Sequence, residues 1–164
     1  MIAKAKTPKK TVSASPVDAI QLLRDDHASV SELFKKFEAA SGNDEKSQIV
    51  QEICTELSVH AQIEEEIFYP AVQEALDDEE LVPEATVEHQ SIKDLVAQLE
   101  DMDPEEELYD AKVKVMSEWV KHHVKEEQDE MFPKVKKTEL DLEELGQQLA
   151  IRKEELLADL QQDD

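Results

Sequence analysis

Glycine is almost missing from this chain, with two residues in 164, Gly42 and Gly146. Sandwiches and barrels need many tight turns, so this scarcity argues against a β-rich fold and for long helices joined by few loops. Aromatic residues make up only 4%. Cysteine occurs once, at Cys54. No internal disulfide can form, which suits a reducing, cytoplasmic setting, and Cys54 falls in a helical pattern as a packed thiol rather than a reactive one. No run approaches the roughly 18 apolar residues of a membrane span. Lys4, Lys6, Lys9 and Lys10 open the chain without the apolar stretch that would make a secretory signal. Positive charge is also short: 18 Lys and Arg stand against 41 Asp and Glu, for a net charge of −23. A basic footprint for nucleic acid is thereby excluded, and an anionic membrane surface would repel the protein. What the chain has in quantity is charge, 36% of residues. Charge that dense belongs on solvated helix faces, where it keeps the protein soluble and modestly concentrates cations.

The apolar pattern predicts an all-α protein, an up-down-up-down four-helix bundle with an additional C-terminal helix. Residues 1–14 read as a flexible basic N-terminal arm, 15–136 as the bundle, and 137–164 as a C-terminal amphipathic helix and acidic tail. The first helix is expected from Ser15-Pro16-Val17-Asp18, with serine as cap and proline in the first turn, until Gly42 breaks it. Its stripe is Ile20, Leu23, His27, Val30, Phe34 and Phe37, spaced by three and four along one face. The second helix runs from about Asp44 to Ala75, with Pro70 expected to kink or thin it, and Asp77-Asp78-Glu79-Glu80 follows as an acidic turn. The third is expected from about Pro83 to Met102 around His89, Ile92, Val96 and Leu99. Asp103-Pro104-Glu105 is expected to cap the fourth, which reaches about Phe132 before Pro133 ends or kinks it. Trp119 falls on the broad inner face of that helix, together with Val113, Met116, Val120, His123 and Glu127. From Glu139 to about Leu160, Leu142, Leu145, Leu149, Leu156 and Leu160 mark a further helix, expected to pack on its own bundle, with partner docking as the alternative.

The chemistry lies in a repeat. His60-Ala-Gln-Ile-Glu64 is followed by Pro70, and His123-Val-Lys-Glu-Glu127 by Pro133, at the same spacing and 63 residues apart. The lone histidines His27 and His89 are 62 apart. The chain is thus a doubled helical hairpin, each half offering a histidine and then His-x-x-x-Glu. Residues four apart share a helix face, so each His–Glu pair can reach one point inside the bundle. Two such helices and two single histidines supply four imidazoles and two carboxylates. Each carboxylate has two oxygens and can bridge two metals. Each metal would then hold two nitrogens and two oxygens, with room for water or a small ligand. Sites this open suit redox iron better than closed tetrahedral zinc. A histidine on an apolar face is more often a satisfied core residue. Four of them on four stripes, two with a glutamate one turn on, fit a metal site better, because a buried unpaired Glu64 or Glu127 would cost several kcal/mol. The fifth histidine, His122, points about 100° away from His123 and reads as flanking. Glu65, Glu66, Glu126 and Glu130 read as solvent-facing, with Glu65 or Glu126 as alternative carboxylates near the site.

Asp26-His27, His60 with Glu64, Glu88-His89, His123 with Glu127 and the two Phe/Tyr-Pro endings together resemble the hemerythrin-like, or HHE cation-binding, family over roughly residues 17–135. The resemblance implies two non-haem iron ions bridged by Glu64 and Glu127, with His27, His60, His89 and His123 as terminal ligands and a bridging oxide, hydroxide or water. The oxygen-carrying hemerythrins use a His-x-x-x-x-Asp pair in the last helix and five histidine ligands. Here the residue five after His123 is Gln128. This points away from reversible oxygen carriage and toward binding of, or reaction with, dioxygen, peroxide or nitric oxide in sensing or stress defence. Two alternatives stand beside it: a catalase- or peroxidase-like enzyme, and an iron donor that repairs iron centres.

Overall fold

The computed structural model describes residues 17–77 and 80–163. Five helical rods account for almost all of them, and no strand occurs among the described residues. We label them α1 (Ala19–Ala39), α2 (residues 43–75), α3 (Leu81–Glu100), α4 (residues 109–136) and α5 (Leu142–Gln162). The first four form the bundle and α5 packs along α1 and α2.

The helix ends correct several expectations. The N-cap of α1 is Asp18, whose Oδ1 accepts from the Ile20 and Gln21 amides at 2.8 and 3.1 Å; Ser15, Pro16 and the 1–14 arm lie outside the described residues. A carboxylate at that position both satisfies free N–H groups and complements the helix dipole. Gly42 does not stop α1. The helix ends at Ala39, and Gly42 is the N-cap of α2 with an ordinary negative φ. Asp103 caps a local turn rather than α4: its Oδ1 accepts from the Glu105 amide, Glu106 Oε1 accepts from the Asp103 amide, and the helix begins six residues later at Tyr109. Of the expected acidic turn after α2, Asp78 and Glu79 lie outside the described residues.

Neither Pro70 nor Pro133 ends its helix. Each follows a π turn, Glu64–Phe68 in α2 and Glu127–Met131 in α4, after which the α-helix resumes as Tyr69–Ala75 and Phe132–Lys136. Proline has no N–H and its ring crowds the carbonyl four residues back. Those carbonyls belong to Glu66 and Asp129, inside the two π turns, where the wider winding accommodates the ring. The widened turn closes through Tyr69 N–H to Glu64 O and Phe132 N–H to Glu127 O.

The core has two apolar clusters. One gathers Leu23, Ile63, Phe68, Val72, Phe132 and Leu149, the other Val30, Phe34, Ile53, Leu99, Tyr109 and Met116. Every histidine stripe crosses from one cluster to the other: Leu23 and Val30 flank His27, and Leu57 and Ile63 flank His60. The polar residues therefore form one layer sealed above and below by packed side chains. Cys54 lies in the second cluster, where burial and the Glu100 charge push its thiol up to about 12, which leaves it unreactive. Trp119 does not join the core. It is 43% exposed on the outer side of α4.

α5 seals the first cluster with Leu145, Leu149 and Leu156 and is capped by Asp141, which accepts from the Glu144 amide at 3.0 Å. Gly146 permits this docking. A Cβ there would stand 2.0 Å from the Val17 carbonyl oxygen and 2.8 Å from the Ala19 nitrogen, so the helix backbone rests directly on the start of α1. Among the described residues no helix is long and apolar enough to cross a membrane.

Candidate metal centre

The layer between the two clusters contains all six residues singled out by their spacing. His27, His60, Glu64, His89, His123 and Glu127 are buried, and Glu64 and Glu127 almost completely. α1 contributes His27, α2 His60 and Glu64, α3 His89, and α4 His123 and Glu127. Both glutamates are the first residues of the π turns, so each HxxxE pair sits on regular helix and the widening begins at the carboxylate.

The inward atoms converge. His27 Nε2 lies 3.2 Å from Glu127 Oε1, and His123 Nε2 lies 3.3 Å from Glu127 Oε2. His60 Nε2 contacts Glu64 Oε1, and His89 Nε2 is 3.8 Å from the same oxygen. His89 and His123 bring their Nε2 atoms to 3.1 Å of each other. The donors divide into two sets that share Glu64: His27, His60, Glu64 and Glu127, and then Glu64, His89 and His123, with candidate ligand atoms within 4.8 Å of one another in each. Most of these atoms have no hydrogen-bonding partner. Both Glu64 oxygens, Glu127 Oε1, and Nε2 of His27 and His60 are buried without one. Native interiors hold few such atoms, and here they point at one place. Nitrogen and carboxylate donors left bare around a common centre are what cation binding needs.

Three of the four outer ring nitrogens are hydrogen-bonded from behind, and His89 Nδ1 is buried without a hydrogen-bond partner. His60 Nδ1 pairs with Asp26 Oδ2 at 3.0 Å and His123 Nδ1 with Glu88 Oε2 at 3.2 Å. Gln128 places its side-chain amide 2.9 Å from His27 Nδ1, and Glu65 Oε1 stands 3.5 Å from His89 Nδ1. Fixing Nδ1 in this way aims Nε2 inward and raises its basicity as a ligand. Glu65 is thus turned to the site and to Lys93, 2.5 Å away, rather than to solvent alone. His122 does point away, with its side chain 65% exposed and 3.2 Å from Glu126.

Charge follows the same geometry. Burial alone would depress His60, but the Glu64 charge and the Asp26 hydrogen bond outweigh it and raise the imidazole to about 10. His123 is raised to about 10 against burial by hydrogen bonds to Glu127 and Glu88. His89 falls to about 3 through burial and the neighbouring His123 charge, and burial also lowers His27. Glu64 rises to about 7 through burial and the nearby Glu127 charge. Burial would raise Glu127 too, but the His123 and His27 imidazoles beside its two oxygens hold it well below the usual range. Carboxylates on both sides thus favour the protonated form of His60 and His123 in the metal-free layer.

One residue at the centre escaped the sequence reading. The Tyr69 hydroxyl donates to Glu127 Oε2 at 2.8 Å and lies 3.2 and 3.3 Å from Nε2 of His89 and His123. It is five residues after Glu64, about 140° off that face in a regular helix; the π turn swings it inward. Its counterpart in the repeat, Phe132, stacks on His27 with ring centroids 6.1 Å apart.

A four-helix bundle with inward histidines and two central carboxylates defines a class of helical cation-binding proteins. Within it, the model of the Hemerythrin HHE cation binding domain matches residues 18–135, and the chain belongs to that family. It is similar to the "Uncharacterized protein Rv2633c" of Mycobacterium tuberculosis and to the "Uncharacterized protein Mb2666c" of Mycobacterium bovis, each 28% identical over 144 residues, covering 85% of this chain and 88% of the relative. Among solved structures it resembles the hemerythrin HHE cation binding domain-containing protein of Mycobacterium kansasii, a homologue of Rv2633c. That likeness has a TM-score of 0.75 and 29% identity, and covers 87% of this chain and 89% of that one.

Proposed function

We propose that this protein binds two non-haem iron ions through His27, His60, His89, His123 and the bridging carboxylates Glu64 and Glu127, and uses them to bind or react with a small oxidant: dioxygen, peroxide or nitric oxide. The observation that carries this reading is the group of buried, partnerless donor atoms converging from four helices. Bound iron would supply redox chemistry. The chain's own groups hold and aim the donors, keep bulk water out and place protons.

The size of the reactant follows from the cavity beside the histidines. It is lined by all four imidazoles with Val30, Leu57, Ile92, Val96 and Val120, and its volume is about 30 Å³. A single water needs about 10–15 Å³ on this measure. A molecule of two or a few atoms fits; an organic substrate does not. The apolar walls favour a weakly hydrated ligand. The lone buried Cys54 suits a cytoplasmic setting.

Turnover of peroxide is the second reading, favoured by Tyr69, whose hydroxyl proton points at Glu127 inside the centre. An iron donor for repair of other centres is the third, and the sealed layer between two packed clusters weighs against it. Metal analysis of protein from iron-fed cells should give about two irons per chain, as the ligand set of two carboxylates and four imidazoles requires. Zinc alone, or no metal, would sink the proposal. Mixing the loaded protein with peroxide then separates its branches: rapid oxygen release marks an enzyme, and a stable spectral change without turnover marks a binding protein.

A further inference from the structure

The carboxylates behind His60 and His123 occupy matching places in the repeat but opposite electrical surroundings. Asp26 Oδ1 is held at 2.5 Å by Lys153 Nζ, which α5 brings across 127 residues of sequence, while Asp26 Oδ2 takes His60 Nδ1. The Asp26 side chain is 11% exposed and that of Lys153 is 35% exposed, so the pair is partly shielded from water. Glu88, behind His123, instead meets a second carboxyl, Glu126. The groove over Glu88 is lined by Pro83, Glu84, Val87, His122 and Glu126, with no lysine or arginine among them. The inner faces differ in the same sense. The polar Tyr69 hydroxyl, held protonated by burial and the Glu127 and Glu64 charges, stands at His89 and His123, while the apolar ring of Phe132 covers His27.

A carboxylate on Nδ1–H draws that proton outward and makes the imidazole a stronger electron donor, which favours the more oxidised metal. A cation on the carboxylate withdraws this effect, and its own charge adds a repulsion that falls only slowly with distance in a shielded site. Resting on the reading of this layer as a redox metal centre, we infer that Lys153 of the added helix makes the two metal positions unequal. The His27–His60 position is the more easily reduced, and the His89–His123 position the first to give up an electron. Lys153 acts as a positioning residue through Asp26, and α5 tunes the centre as well as covering it. Lys93, paired with Glu65 at 2.5 Å, offsets the charge behind His89 but does not reach the His123–Glu88 pair, which carries the difference.

Redox titration of the iron-loaded full chain, read by optical and electron-spin spectra, tests this. The wild-type protein should show two separated one-electron midpoints. Lys153→Met should lower the upper one, and a tenfold change in that equilibrium corresponds to about 59 mV. Lys153→Arg should restore it, and Glu88→Gln should raise the lower one. A single two-electron step, a Lys153→Met shift confined to the lower midpoint, or no shift at all would overturn the inference. So would a shift that arginine fails to restore, because that assigns the effect to packing. A chain that takes up no iron fails the metal reading itself, and metal content measured on the same samples separates the two failures.

Discussion

The two halves of the repeat can be laid over each other residue by residue. His27 answers to His89, His60 to His123, Glu64 to Glu127, Asp26 to Glu88, and each half widens into a π turn at its glutamate before a proline. Everything that points into the layer is shared except one pair, Tyr69 against Phe132. Everything that backs the layer has diverged: Lys153 supports Asp26 while Glu126 faces Glu88, and Gln128 holds His27 where Glu65 stands behind His89. The difference teaches where the constraint lies. On the proposed reading, two metals would need the same donors in the same places, and the inner set matches for that reason. The supporting groups only set how basic each donor is, and they are free to differ.

The hardest test of the shared inner set is removal of a carboxylate. If Glu64 and Glu127 each serve both positions, Glu64→Ala or Glu127→Ala should remove most of the iron from both halves, not from one. Metal content per chain measures this, and a variant that keeps one tightly held iron would show that the halves are independent sites.

Protons provide the next test, because His60 and His123 behave alike despite their different backing. Both are raised from 6.5 to about 10. A group whose folded value is raised contributes stability that is full below its unfolded value and is lost as pH climbs to its folded value. The metal-free chain should therefore lose stability between about pH 7 and pH 10, seen as a falling thermal midpoint. The loaded chain, whose imidazole protons have been displaced, should not. Loading at pH 7 should also release about two protons, measurable with an indicator dye in weak buffer. A flat thermal profile for the metal-free chain would remove the two imidazolium charges from the account.

Much of this layer was legible before the fold. The spacings of His27, His60, His89 and His123 on four apolar stripes placed them on inner faces, because helical periodicity fixes direction and burial follows from neighbours such as Leu23 and Val30. Packing of the last helix on its own bundle followed from its leucine stripe. The π turns did not show. Proline announces a local fault, but whether a helix stops, bends or widens depends on what packs beyond it, here Phe68, Tyr69 and Phe132 in the core. Tyr69 was invisible for the same reason: its direction depends on the widened turn. Lys153 and Asp26 are 127 residues apart, and no local pattern joins them. Trp119 shows the reverse error, an apolar residue near the right face that ends outside.

α5 packs mainly on the first half of the repeat, along α1 and α2, and its docking can be broken directly. Gly146→Ala would put a methyl group into the backbone of residues 17–19. Neither backbone can shift cheaply, so a loss of about 1–3 kcal/mol is expected, the range for overpacking. Urea unfolding measures it. Because α5 carries Lys153, the same variant should loosen Asp26 and leave Glu88 untouched. In hydrogen exchange, the amides of α1 near Ala19 should gain exchange more than those of α3. Equal change in both would mean that α5 braces the whole bundle rather than one half.

The smallest expected effect concerns the single inner difference. Tyr69→Phe makes the halves alike within the layer, and it removes the phenol's hydrogen bond to Glu127 together with its contacts to the His89 and His123 rings. A buried hydrogen bond contributes about 0.5–1.5 kcal/mol net, and His123 Nε2 remains 3.3 Å from Glu127 Oε2 after the loss. Stability should therefore fall by about 1 kcal/mol. The informative readout is the loaded centre. If Tyr69 distinguishes the halves, the phenylalanine variant should shift the spectrum of the His89–His123 position and slow any proton-dependent reaction with peroxide. Phe132→Tyr, which places a second hydroxyl by symmetry beside His27, should produce the complementary shift. Were both variants to match the wild-type spectrum, the inequality of the two positions would rest on the outer charges alone, on Lys153 and Glu126.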